Sequence, residues 1–404
     1  MKLRSVTLFA TMPLDGAYVD KLGRAALTIA DAYRDAGYEV QTVRLATDLL
    51  STLPTSATST GTIHLVTDLE KRCRAAGFDY IALGPAGAKS QPWLPDLLAA
   101  TETVFATCAI VPFQRQRIDG AAIRRSAKII RAASEIEAGF GNLRFAALAN
   151  VEPGTPFFPA AYWLAARPSF AIATQAADLA VDACQHSQDL SAAHRRLRAR
   201  VTDHGGALAR VGQAISKSEG LDFLGIDFCP APYPDHETSI GAALETLTGK
   251  PVGGVGTLTA AATLTDAIQS AHFPHTGFCG LFLPVLEDSI LATRAAQGHL
   301  HISDLLHWSA VCGTGLDTIP LPGDISKEAL AALLFDVAVL AVRLNKPLTA
   351  RLMPLPGKAA GDPVHFDFPY FADSAVLRLE DERSDNRIIK TDDLGLRAYT
   401  DNRT

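Results

Sequence analysis

The sequence predicts an α/β protein, and three observations carry that expectation. Short β-rich runs alternate with amphipathic helical stretches over the first 150 residues. Hydrophobic residues make up 48% of the 404-residue chain and charged residues 20%, the balance of a packed globular protein rather than a disordered one. The alternation stops between residues 175 and 219, where helical patterns follow one another without a strand signal, and it resumes at residue 221. Alternation of this kind implies mostly parallel strands with helices outside. The length exceeds one ordinary core but is short for three independent domains.

In chain order, the strand candidates are VTLFATM (6–12), YEVQTVRLA (38–46), DYIALG (79–84), TVFATCAIV (103–111) and RFAALANV (144–151). Helical patterns lie between them, at 18–37 and 120–136. In the second of these, Ile123, Ala127, Ile130 and Ala133 recur at helical spacing, with Arg124, Arg125 and Lys128 elsewhere on the wheel. A loop rich in proline and aromatics follows, NVEPGTPFFPAAYW (150–163). After the helical stretch come LDFLGIDFCPAP (221–232), a helix within GVGTLTAAATLTDAI (254–268), a strand in GFCGLFLPVLED (277–288), and VCGTGLDTIPLPGD (311–324). A long helix around 326–342 and the strand LTARLMPL (348–355) complete the second half. The chain thus divides into a first α/β half (1–170), a helical insertion (171–220), a second α/β half (221–375) and an extended charged tail (376–404).

The formal net charge of −6 and a pI near 6.0 argue against a nucleic-acid protein, whose affinity comes from clustered Lys and Arg. The one basic run, HRRLRAR at 194–200, reads as the solvated face of a helix. No apolar stretch reaches the roughly 18–20 residues a bilayer span needs, so no membrane partner is expected. The apolar run near the N-terminus lacks a small-x-small cleavage pattern and leads into an amphipathic helix, so it reads as the first strand rather than a signal peptide. Six cysteines show neither CxxC pairing nor regular spacing. That pattern fits neither a zinc knuckle nor a disulfide scaffold, and it suits a reducing, cytoplasmic location.

GLDFLGIDFCPAP, GVGTLTAAATL, GFCGLFLPVLEDSILATRAAQGHL, AVCGTGLDTIPLPGD and AVRLNKPLTARLMPLPGKAAGDPVHFDF occur in the order in which the DUF711 (UPF0210) family has them. SVTLFATMPLD and the NVEPGTPFFPAAYW loop are also similar to that family. The resemblance covers nearly the whole chain, and the segment from Gly277 to Asp324 is its most specific part. It implies a pyruvate-formate-lyase-like α/β barrel of about ten strands, with a helical subdomain used for dimerisation. The helical stretch at 175–219 fits that subdomain, so a homodimer is expected.

A fold of that type raises glycyl-radical catalysis, which needs a storage glycine near the C-terminus in an Arg-Val-Ser/Thr-Gly-Tyr setting and a cysteine inside the barrel. Beyond residue 361 the one glycine is Gly395, in DDLGLRAY, whose flanks do not fit. Cys312 could be a thiyl position but has no radical source, so the expected chemistry is non-radical. In CGTGLD the glycines follow a helical pattern and precede a strand-like run, the reverse of a phosphate loop. Gly313 or Gly315 reads as a helix C-cap, and the alternative is a loop that projects Cys312 and Asp317 into the barrel. LGPAGAKS (83–90) has the right order but lacks the Gly-Lys-Ser/Thr triplet. In the 253–259 stretch, Gly254, Gly256 and Thr257 either contact substrate or merely cap a helix.

Barrel enzymes place reacting groups where strands end. Glu152, Asp227, Asp235, His236, Glu237, Glu287 and Asp288 occupy such positions, and two carboxyls across a mouth can split into acid and base. Glu152 as acid with Asp227 or Glu237 as base or nucleophile is the expected catalytic set. For Glu237 the plainer reading is a first-turn acid, and for Asp288 a helix cap. The aromatics Phe157, Phe158, Tyr162 and Trp163 serve either as a ring-binding wall or as core packing. The expected function is a hydrolase acting on a carbohydrate or polyol, without cofactor or bound metal. The alternatives are a non-catalytic ligand-binding or regulatory protein, and a metal-assisted enzyme centred on Asp227, His236 and Glu237.

Overall fold

The computed structural model describes residues 1–54, 56–380 and 387–399. Nine strands form the main sheet: β1 (Lys2–Phe9), β2 (Val43–Ala46), β3 (Tyr80–Pro85), β4 (Val104–Val111), β6 (Phe145–Ala149), β7 (Ser169–Gln175), β8 (Asp222–Asp227), β9 (Gly315–Pro322) and β10 (Leu348–Leu355). The short β5 (Arg117–Asp119) lies outside it and pairs with Asp393–Gly395, which anchors part of the charged tail. Residues 381–386 and 400–404 of that tail lie outside the described residues. The spatial order is β8-β7-β1-β2-β3-β4-β6-β10-β9. β1, β2, β3, β4 and β6 run parallel to one another. β7 with β8 and β9 with β10 are also parallel pairs, but each pair meets the central block antiparallel, at β1/β7 and β6/β10. The expected mixed α/β architecture with mostly parallel pairing is therefore present.

Successive side chains of a strand point to opposite faces, and the two faces differ in chemistry. Val6 and Leu8 of β1 pack in the large aliphatic cluster with the helices, against Val19, Leu22, Ala26 and Ile29 of the helix Gly16–Asp35. That helix starts where Asp15 accepts a hydrogen bond from the Tyr18 amide at 2.8 Å, an N-cap. The expected core stripe Ile123, Ala127, Ile130 and Ala133 is buried in the helix Gly120–Ala133. On the other face Phe9 joins Ala46, Ala82, Phe105 and Ala171, and the 150–163 loop inserts Phe158 and Trp163 among them. Phe157 and Tyr162 of the same loop pack with Ala146, Leu148, Cys229, Phe278 and Phe282. Alanines on the strands leave room for these rings, and each buried ring contributes roughly 1.5–3 kcal/mol.

Three expectations need correction. The strand in YEVQTVRLA is confined to Val43–Ala46. Ser169–Gln175, partly inside the segment assigned to the helical insertion, is strand β7. Its sequence, SFAIATQ, has little β-branched content beside a helix-forming continuation, so the pattern gave no warning. The helical part is Ala177–Gln185 and Leu190–Glu219. GFCGLFLPVLED holds no regular strand: Gly277 (φ +68°) and Cys279 (φ +41°) leave the extended region. Single bridges instead tie this stretch to the two outermost strands, His275 just before it with Ile226 of β8 and Pro284 within it with Asp317 of β9.

The glycines of CGTG owe their place to this segment. A Cβ on Gly313 would sit 2.9 Å from the Gly280 carbonyl carbon, and one on Gly280 would sit 3.0 Å from Gly313 Cα. The two backbones touch, and the Gly313 amide donates to the Leu281 carbonyl at 2.6 Å. Gly315 adopts φ +99° as it enters β9. CGTG is thus a close-packing joint rather than the expected helix C-cap, since the preceding helix Ile302–Ser309 is capped at Ala310.

Candidate functional site

A cavity of about 90 Å³, partly open to solvent, lies at the ends of several strands. Its floor is charged. Arg4 donates to Glu287 at 2.5 Å, Arg351 donates to the other Glu287 oxygen at 2.8 Å, and the Arg351 Nε–H donates to Asp317 at 2.6 Å. Arg351, Glu287 and Asp317 are each at most 5% exposed at the side chain. Arg4 is the extra residue where β1 slips against β7 between Leu3 and Ser5, whereas beside Arg351 the extra residue is in β9, at Asp317 and Thr318. A bulge re-aims a side chain: the one in β1 re-aims Arg4, and the one in β9 re-aims Asp317, which Arg351 meets.

Arg44, 8% exposed, stands beside them. Its Nε–H donates to Thr42 at 2.8 Å, and its guanidinium lies over the rings of Phe158 (5.1 Å) and Tyr80 (5.6 Å). Among the described residues it has no carboxylate partner within ion-pair distance. Burial, with the nearby Arg4 charge, pushes it down to about 9, so it stays protonated at neutral pH. Burial alone would raise Glu287, but Arg4 and Arg351 outweigh it and hold this carboxyl below its usual range. Asp317 moves up, because burial and the Glu287 charge outweigh Arg351. The walls are Tyr80, Phe105 and Phe158 from the strand side, and Phe368 and Tyr370 from the loop before residue 374. Gln41 hydrogen-bonds Gln175, the last residue of β7, at the rim.

The acids of the expected catalytic set lie elsewhere, and none of Glu152, Asp227 and Glu237 lines this cavity. Asp227 ends β8 and is fully buried. Its Oδ1 accepts from the Cys279 amide (2.9 Å) and the Cys229 thiol (2.7 Å), while its Oδ2 and the buried Thr155 hydroxyl have no partner among the described residues. Burial pushes Asp227 up to about 6, and the Glu152 charge adds to the rise. Glu152, half-buried, is itself raised by burial. The Glu152 charge thus reaches Asp227. Glu237 and His236 are exposed on the turn between Tyr233 and Ser239, where Asp235 takes the Thr238 amide at 2.8 Å. A fully buried Asp227 and two exposed turn residues do not form one ligand set, and among the described residues no group of three or more His, Cys, Asp or Glu side chains is placed to hold a metal ion.

Gly254, Gly256 and Thr257 form a turn closed by the Thr257 hydroxyl donating to the Gly254 carbonyl at 2.9 Å. Gly256, at φ +106°, occupies the cap position of the helix Thr257–Gln269, rather than a threonine. None of the three lines the cavity. Cys312 is buried, its sulfur accepting from the Gly315 amide at 3.4 Å and its carbonyl from Lys346. Of the expected substrate-binding residues, Asp317 is the one joined to the charged floor. Asp288 is a cap, accepting from the Ile290 and Leu291 amides at 3.0 Å each. The sequence did carry a signal for the residues that were missed. Arg4, Arg44 and Arg351 each interrupt an apolar strand run, in KLRSVTLF, VRLA and LTARLMPL, and a cation there rarely stays without a purpose.

The family model described as Uncharacterised ACR (DUF711) matches residues 7–374. The chain belongs to the DUF711 family. This DUF711 chain is 34% identical over 252 residues to a UPF0210 protein of Pyrobaculum arsenaticum, which covers 60% of this chain and 55% of that protein. It is 27% identical over 367 residues to a UPF0210 protein of Oenococcus oeni, covering 86% of this chain and 81% of that one. A UPF0210 protein of Lacticaseibacillus casei is 26% identical over 387 residues, 91% and 83% of the two chains. The match thus spans little more than half the length of the Pyrobaculum relative. No helix of the DUF711 chain is long and apolar enough to cross a membrane among the described residues.

Proposed function

We propose that the chain binds a small polar organic molecule in the cavity over Arg351 and acts without radical chemistry. One observation carries this reading. Arg4, Glu287, Arg351 and Asp317 form a buried chain of charges at the floor of an open hollow. Burying ion pairs contributes little net stability, and apolar residues of the same size often serve the core better. Titratable groups displaced from their ordinary values at the base of a concave site point to ligand work. A thermal-shift screen of small acids, alcohols, sugars and amines tests it. Stabilisation by at least one class, weakened in Gln175→Ala at the rim, is the expected result. No shift from any class ends the reading.

A hydrolytic enzyme with a carboxyl acid/base pair is a second reading, favoured by one feature. Asp227 is pushed up to about 6 and feels the Glu152 charge, so below about pH 6 this buried carboxyl holds a proton that it can give up as an acid. Turnover of a glycoside panel that survives both Glu152→Gln and Asp227→Asn would remove that pair. The pyruvate-formate-lyase-like barrel belongs with these proposals. The bridges from His275 to β8 and from Pro284 to β9 support closure of the sheet through the 275–285 segment. A homodimer in a reducing cytoplasm is likewise proposed. The six free, buried cysteines support that compartment, and light scattering of the purified protein tests the dimer.

A further inference from the structure

We propose that the cavity takes a monocarboxylate with an apolar or aromatic body, its carboxylate received by the Arg44 guanidinium. The inference rests on the ligand-site reading above and narrows it to a chemical class.

Three guanidinium groups meet two carboxylates here. Arg4 and Arg351 direct their N–H groups at Glu287 and Asp317. Arg44 has its Nε–H engaged by Thr42, at 2.8 Å, which leaves the two terminal nitrogens without an acceptor among the described residues. The group is more than nine-tenths buried and lines the cavity. A buried cation with no counter-ion is costly, and the cost vanishes when an anion arrives. The free edge of a guanidinium presents parallel N–H groups that match the two oxygens of a carboxylate.

The charge count selects the anion. A guanidinium with no carboxylate in ion-pair contact, and with Asp79 and Glu287 already acting on it at longer range, takes at most one negative charge. A phosphate monoester carries nearly two at neutral pH and would face the Glu287 carboxylate, which Arg4 and Arg351 hold ionised. The body of the ligand is set by the walls. Phe158 and Tyr80 flank Arg44 and fix its plane, and Phe105 packs edge-on against both, at 5.4 Å from each ring centroid. Phe368 and Tyr370, 5.2 Å apart, close the far side. A sugar polyol would leave the charge unmatched and meet few hydroxyl partners on these rings.

Titration calorimetry of the full chain at pH 7.5 tests the assignment, with acetate, butyrate, benzoate and phenylacetate each set against its primary alcohol, and with phenyl phosphate as the dianion. The expected result is that at least one carboxylate binds tenfold or more tighter than its alcohol. That preference should vanish in Arg44→Met and survive in part in Arg44→Lys, with circular dichroism unchanged in both. Equal binding of acid and alcohol, or an undiminished preference in Arg44→Met, overturns the carboxylate assignment while the cavity remains a ligand site. Phenyl phosphate binding tighter than every carboxylate overturns the charge argument. Failure of every probe against a positive thermal-shift screen rejects the class alone, and failure in both rejects the site.

Discussion

Single side chains separate structural charge from functional charge. Arg351→Met strands Asp317 as a buried carboxylate and leaves Glu287 to Arg4 alone, and we expect a loss of roughly 3–5 kcal/mol in urea unfolding. Arg44→Met removes a cation that no carboxylate opposes. It forfeits contact with Tyr80 and Phe158, yet we expect stability to hold or to rise by about 1 kcal/mol. Opposite signs for two buried arginines in one cavity would be hard to obtain from packing alone. Asp227 gives a pH signature. Its carboxyl titrates near 6 in the fold, against roughly 3.9 in an unfolded chain. The native state therefore holds this proton more tightly. The contribution is complete below about pH 4 and is lost as pH rises through 6, on the order of 3 kcal/mol in all. Asp227→Asn should flatten that slope and stabilise the protein at pH 8, read by denaturation at pH 5 and pH 8.

Loops and caps decide how elements meet. Asp288 joins two helices: besides Ile290 and Leu291 it accepts from the Ser239 hydroxyl and the Ile240 and Gly241 amides at the start of the helix Ile240–Thr248. Asp288→Ala leaves several buried donors unmatched, so a loss of at least about 3 kcal/mol is expected, beyond the ~1 kcal/mol of one ordinary cap. Gly313→Ala drives a methyl group into the Gly280 backbone, and a loss of roughly 1–3 kcal/mol follows from that overlap in differential scanning calorimetry. Periodicity exposed the long helices and most strands, since each buries one face along its whole length. It failed for β7, where alanine and serine stand in for most of the usual branched residues, and for GFCGLFLPVLED, where an apolar run is irregular because glycine and Cys279 turn it. An apolar composition reports burial, not conformation.

Across the whole molecule, the expectation of a mostly parallel sheet with outer helices rested on alternation, a property of neighbouring elements, and it was readable. The charged floor was not. Arg4, Glu287, Asp317 and Arg351 are separated by up to 347 positions along the chain (351 minus 4), and nothing local couples them. Asp317 could be picked from its strand-start position, but the meeting with its partners came from bulges in β1 and β9 that no alternation pattern encodes. The His275–Pro284 stretch has a further consequence. A sheet of nine strands ordinarily offers two rims of vacant amides and carbonyls, each a template on which a foreign strand can crystallise. Here one peptide touches both rims, at Ile226 and at Asp317. Nicking the polypeptide between those contacts would uncover both templates at once, and the clipped protein should tangle with its own kind long before its helices melt.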